Sequence, residues 1–146
     1  MDIELNNSQN HIDLGHNSSG LKIMLVSTEA FPYVSVGGVG SVISNLSKAL
    51  AKSGHEVAVF IPKFGSMDEK EYPTKMVVQG MHVPTDDSRQ PSLICNVKVI
   101  NHESGVKFYF LENKEYYEKR ANVYGYSDDP TRFLLLSRGV LEFIKK

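Results

Sequence analysis

IMLVSTEAFPYVSVGGVGSVISNLSKALAKSGHEVAVFIP, residues 23–62, holds two short apolar runs separated by a glycine-containing loop and a helical pattern. The first run, Ile23 to Val26, ends in small polar residues, which predicts a buried strand rather than one with a solvent face. A loop follows from Glu29 to Gly40, with Pro32 and three glycines. Val39, Val42, Ile43, Leu46 and Leu50 then fall at offsets of 3, 4, 7 and 11, a single apolar helix face. Gly54 is placed to end that helix in a left-handed conformation, which costs glycine nothing sterically. Val57 to Ile61 forms a second apolar run, stopped by Pro62. The order strand, loop, helix, strand is a βαβ unit, and its crossover should be right-handed.

Outward from this unit the chain is less regular. Residues 1–20 are rich in Asn, Ser, His and Gly and are expected to form a disordered tail. That tail lacks a secretory signal's apolar core, so its Asn-x-Ser triplets at Asn6 and Asn17 are read as chance. Lys75 to Val83 predicts a strand. Ser92–Ile100 and Val106–Leu111 flank Asn101-His102-Glu103-Ser104-Gly105 and predict a β-hairpin, with Pro84 to Pro91 as a surface loop. Asp129-Pro130 suits a helix start, and Phe133, Ser137, Val140, Leu141 and Ile144 define the face expected to pack inward.

Composition narrows the class. The 146 residues allow one domain of ordinary size and not two. A net charge of -1 gives no electrostatic footprint for nucleic acid. The longest apolar run, Val57 to Ile61, is five residues, against the ~18–20 that a membrane span requires. The lone Cys95 lacks a partner for an internal disulfide, which favours a reducing, cytoplasmic setting.

Val34 to Ser41, VSVGGVGS, is the segment richest in chemistry. Gly37, Gly38 and Gly40 either let backbone N–H groups at a helix N-terminus approach a phosphate or sugar, or simply turn the chain tightly into the helix. Spacing alone leaves both readings open. The dinucleotide fingerprint fails, because Ile43 stands where its third glycine belongs and Pro62-Lys63 where a ribose-binding acid belongs. A P-loop lacks its Lys, and Tyr33 replaces the first glycine of a nucleophile elbow. His11, His16, His55, His82 and His102 have no metal-ligand spacing, and His55 is read as structural. Asp86-Asp87 and Asp128-Asp129 are read as surface or capping acids. Tyr116, Tyr117, Tyr124 and Tyr126 cluster around Gly125, where they could stack on a sugar or cover the hairpin.

Together, Ile23 to Pro32 and VSVGGVGSVISNLSKALAKSGHEVAVFIPKF resemble the N-terminal domain of glycogen and starch synthases, GT-B glycosyltransferases of family 5. A second patch agrees: Phe108 to Tyr117, then Val123-Tyr124-Gly125-Tyr126, Arg132-Phe133 and Ser137-Arg138. The resemblance implies an α/β fold, a Rossmann-like parallel sheet with helices on both faces and an added β-hairpin, forming an incomplete N-terminal GT-B lobe over residues 21–146. It also implies transfer of glucose from ADP-glucose to an α-1,4-glucan with retention. This chain would be the acceptor side, and a C-terminal donor-binding domain would be missing from it. A general GT-B hexosyltransferase with another sugar nucleotide and a non-catalytic glucan-binding remnant are the alternatives.

The substrate-binding candidates carried by the resemblance are Glu29, Ser35, Gly37, Gly38, Ser41 and Tyr124, with no catalytic residue assigned. No metal or cofactor is expected, the nucleotide sugar being a substrate. Ser35 and Ser41 depart from the family, which usually carries Lys and Asp at these positions. A serine hydroxyl can hydrogen-bond but cannot offset charge on a leaving diphosphate.

Overall fold

The computed structural model describes residues 20–146. The expected tail, apart from Gly20, lies outside the described residues. The elements run β1 (Lys22–Val26), α1 (Gly38–Lys52), β2 (Glu56–Pro62), β3 (Lys75–Pro84), β4 (Ser92–Asn101), β5 (Lys107–Glu112), a one-turn π-helix (Lys114–Glu118) and α2 (Asp129–Phe143). The five strands form one sheet in the order β1-β2-β5-β4-β3. β1, β2 and β5 are parallel, while β4 is antiparallel to both β5 and β3. The expected hairpin exists as β4 and β5, but it is continuous with the parallel sheet because β5 pairs with β2 along its other side.

Aromatic contacts fix the two faces. Tyr33 stacks edge-on against Phe108 and Phe110, with ring centroids 4.9 and 5.3 Å away. Phe143 of α2 packs on Tyr109 and Phe60 at 4.8 and 5.4 Å. Successive strand residues point to opposite faces, so the Tyr33 loop and α2 lie on opposite sides of the sheet. α1 belongs to the Tyr33 side, since Phe31 N–H donates to the Gly40 carbonyl and Ser44 Oγ donates to the Phe31 carbonyl. The core between these layers is built from Val57, Val59, Phe60, Ile61, Phe108, Phe110 and Leu111, all almost fully buried.

Three expectations about burial are corrected. β1 is not covered on both sides: it is the outermost strand, Ile23, Met24 and Leu25 are only half-buried, and Val26 is exposed. α1 buries its apolar stripe only in part, Ile43 and Leu50 packing half-buried against the core. Val39, Val42 and Leu46 face solvent, whereas Gly40, Ser44 and Ser47 are buried. Small residues let the helix sit close to the Phe31–Val34 loop: a Cβ at Gly40 would lie 3.1 Å from the Val34 carbonyl oxygen. α2 turns inward the face carrying Arg132, Leu135, Leu136, Gly139 and Val140, leaving Leu141 and Ile144 exposed. A Cβ at Gly139 would meet the Leu111 side chain at 2.6 Å, so glycine there sets how closely the helix approaches β5. Periodicity counted neither this glycine nor a buried arginine as inward-facing.

Other local readings hold. Gly54 follows the α1 C-cap with φ +91°. His55 Nδ1 accepts from the Leu21 N–H at 3.2 Å, a structural contact at the end of the sheet away from the glycine loop.

Candidate functional site

The glycine loop leaves the C-terminal end of β1 and enters α1, with Gly37 as an extended N-cap that supplies no side-chain cap. Its shape is set by one carboxylate. Glu29 is 2% exposed, and its Oε2 accepts the N–H groups of Val36 at 2.7 Å and Gly37 at 3.1 Å. Its Oε1 accepts the hydroxyl of Tyr124 at 2.6 Å, and Tyr124 in turn accepts from Thr28 Oγ1 at 2.6 Å. Burial pushes the Glu29 carboxyl up, but the hydrogen bonds from Tyr124, Val36 and Gly37 outweigh it and hold the group below the usual carboxylate range. Burial, and the same bond to Glu29, raise the Tyr124 hydroxyl.

Three of the six candidates, Glu29, Gly37 and Tyr124, are therefore joined by hydrogen bonds, with Gly38 next along the loop. Glu29 has both oxygens engaged, so it acts by positioning the loop. Gly37 and Gly38 are exposed and open: a Cβ at either would meet nothing within 4 Å. Tyr124 is 38% exposed, its ring 5.8 Å from that of Phe133, while its hydroxyl is spoken for. Ser35 Oγ lies 3.5 Å from the Gly37 carbonyl, at the limit of hydrogen bonding, and Ser41 is exposed in the first turn of α1. These two serines border the loop without shaping it.

Sequence reasoning quoted Arg132 but assigned it nothing. Its side chain is fully buried; Nε donates to the Tyr116 carbonyl at 2.7 Å, and Nη1 to the Val123 carbonyl at 2.9 Å and to Asp129 Oδ1 at 2.6 Å. Tyr117 Oη donates to the Arg132 carbonyl at 2.7 Å, and the guanidinium lies over the Tyr126 ring at 4.9 Å. Asp129 Oδ2 accepts from the N–H groups of Gly125 and Tyr126. The acid expected to cap α2 thus reaches back to the Tyr-Gly loop, whose Gly125 has φ +100°. A physical chain runs from α2 through Arg132 and Val123 to Tyr124, Glu29 and the glycine loop.

Beside it, the Lys63 found in place of a ribose-binding acid belongs to a closed ion network. Glu69 contacts Lys63 at 3.5 Å and Lys98 at 3.1 Å, and Lys98 also reaches Glu112 at 2.8 Å. These charges satisfy one another and fasten the segment after β2 across the sheet. Among the described residues there is no cluster of His, Cys, Asp and Glu suited to a metal ion, and no helix long and apolar enough to cross a membrane.

Residues 22–146 match the family model described as the starch synthase catalytic domain. The chain belongs to the starch synthase catalytic domain family. Glycogen synthase of Caldicellulosiruptor saccharolyticus is 40% identical over 125 residues, and that of Exiguobacterium sibiricum 33% over 126, covering 85% and 86% of this chain. Among solved structures, the catalytic domain of starch synthase IV from Arabidopsis thaliana, bound to ADP and acarbose, superimposes with a TM-score of 0.74 at 27% identity over 86% of this chain. In each comparison the chain spans only 25% of the relative's length. The matched residues include the glycine loop and the Tyr-Gly loop, the two segments that Glu29 ties together.

Proposed function

We propose that this chain is the acceptor-side portion of a glucan synthase that moves glucose from ADP-glucose to an α-1,4-glucan with retention, the donor-binding lobe belonging to the part of such an enzyme outside the matched quarter. The observation that carries this reading is the Glu29-centred unit at the C-terminal ends of the strands. It fixes the glycine loop and sets a helix N-terminus without a side-chain cap beside the partly exposed Tyr124. Open α/β sheets bind ligands at this end, uncapped N–H groups suit sugar hydroxyls or phosphate, and a tyrosine face suits a sugar ring. The reaction needs no cofactor beyond the sugar nucleotide, and a cytoplasmic setting suits that substrate.

The test uses residues 1–146 alone and a chimera in which they replace the matched quarter of the C. saccharolyticus glycogen synthase. The isolated chain should give no ADP-glucose-dependent extension of maltooligosaccharides, and the chimera should extend them with ADP-glucose in preference to UDP-glucose. Ser35→Lys should raise the chimera's rate on the order of 10-fold or more, because a cation there offsets charge developing on the leaving diphosphate. Robust turnover by the isolated chain, or transfer from UDP-glucose only, contradicts this reading. The serines at 35 and 41 favour one other reading, a non-catalytic glucan-binding protein, for which the chimera would bind glucan and remain inactive with Lys at position 35.

A further inference from the structure

Asp129 opens α2 and grips the loop that carries Tyr124 from both sides. Its Oδ2 accepts the N–H groups of Gly125 at 2.8 Å and Tyr126 at 3.2 Å, and its Oδ1 accepts Arg132 Nη1 at 2.6 Å. The same Nη1 donates to the Val123 carbonyl at 2.9 Å. Residues 123, 125 and 126 are thus fixed around Tyr124, and Phe133, one turn further into α2, meets the Tyr124 ring at 5.8 Å. All three groups bonded to the Asp129 carboxylate are donors. Burial raises its carboxyl, but the Gly125 N–H, the Arg132 guanidinium and the Tyr126 N–H outweigh this and hold it below the usual range. An amide here would turn its NH2 against two backbone N–H groups or against a guanidinium, so a carboxylate is needed to satisfy all three. Glu29 differs, because its hydroxyl partner can reverse its bond.

A single side chain passes this order on. Among the described residues, the Tyr124 hydroxyl makes the only hydrogen bonds between residues 113–143 and residues 27–40, accepting from Thr28 and donating to Glu29 Oε1. Glu29 Oε2 then holds the Val36 and Gly37 N–H groups. α2 lies on one face of the sheet and α1 on the other, so this hydroxyl joins the start of one helix to the loop that enters the other.

We infer that Asp129 is a positioning residue for the glycine loop: its carboxylate sets the backbone around Tyr124 so that the hydroxyl meets Glu29, and through that hydroxyl it fixes the Val36 and Gly37 amides. The inference deepens the reading that this loop borders an α-glucan surface, and rests on that reading for the ligand only.

Amide exchange at Val36 and Gly37 in residues 1–146 tests this as a double-mutant cycle. Tyr124→Phe keeps the ring, removes the hydroxyl and should speed both amides by on the order of 10-fold. Asp129→Asn should speed them about as much with Tyr at position 124, and by less than about 2-fold once Tyr124→Phe is in place. A purely structural role for Asp129 would give the same acceleration in both backgrounds. That result overturns the inference, as does no acceleration in either. Gly125→Ala strains a φ +100° position where a Cβ meets nothing within 4 Å, and so disturbs the loop without changing Asp129. It should show the same dependence on Tyr124, and it carries the test if Asp129→Asn gives no cooperative unfolding transition. Asp129→Asn should also weaken maltoheptaose binding on the order of 10-fold. Binding that it leaves unchanged overturns the inference. Coupled exchange in a wild-type chain that binds no maltoheptaose leaves the positioning role standing and removes only the functional reading.

Discussion

Replacing Arg132 with Ala should cost about 3–5 kcal/mol of unfolding free energy, a large share of the roughly 5–15 kcal/mol that holds a domain together. The guanidinium is fully buried and is the shared donor for the Tyr116 and Val123 carbonyls and for Asp129. Truncation strands those acceptors and opens a void beneath Tyr126 and Phe64. Arg132→Lys should recover only part of the loss, since an ammonium lacks the planar fork that reaches both carbonyls. Urea unfolding of the three proteins measures this. A loss below about 1 kcal/mol for the alanine variant would mean that the Tyr-Gly loop is held by something other than Arg132.

Glu29→Ala is the second large effect, about 2–4 kcal/mol, because it leaves the Val36 and Gly37 N–H groups and the Tyr124 hydroxyl without their acceptor. Glu29→Gln should cost much less at neutral pH. Its carbonyl oxygen can take the two N–H groups while its amide donates to the Tyr124 oxygen. The two variants separate further in acid. The folded-state carboxyl of Glu29 titrates below its ordinary value near 4.5, so its stabilisation is fully present above that value and is lost as pH falls through the folded value. The gap in thermal midpoint between wild type and Glu29→Gln should therefore narrow as pH falls below about 4.5. Glu69 and Glu112 are also held low, by Thr74 and Lys98 and by Lys98 and Asn96 against burial, so an acid limb remains in both proteins. Glu118 is raised by burial and neighbouring acids and works in the opposite direction. A gap that stays constant with pH would show that Glu29 is not the charged acceptor of the loop.

The sequence made most of this architecture legible wherever local pattern and tertiary environment agreed. Val57 to Ile61 read as a buried strand and is one, because β1 and β5 flank it on both sides. Residues 23–26 carry the same signal, yet their strand has one neighbour; an apolar run encodes what could be buried without showing whether the neighbour is present. The stripes of α1 and α2 misled for a different reason. Close packing there is set by Gly40, Ser44, Ser47 and Gly139, and by an arginine whose burial depends on acceptors at Tyr116, Val123 and Asp129, 16, 9 and 3 residues before it. Hydrophobic periodicity assigns such residues to solvent.

In the site, glycine spacing located the loop but could not decide between ligand approach and a tight turn. Glu29 entered only through resemblance, since its contacts with Val36, Gly37 and Tyr124 bridge 7, 8 and 95 residues. The structure gives that acid a physical task at once: it fills the loop's inner donors and leaves the outer N–H groups of Gly38 and Val39 to whatever binds. The same assignment explains why Tyr124, although it belongs to a different segment, is part of the site.

The account turns on whether this Glu29-held surface receives a glucan, and an NMR titration of residues 1–146 with maltoheptaose reads that directly. Amide shifts should concentrate at Gly37, Gly38, Val39, Tyr124 and Gly125 and should collapse in Glu29→Ala, while the amides around Phe143 stay unperturbed. Shifts confined to other surfaces, or a loop response indifferent to the loss of Glu29, would contradict it.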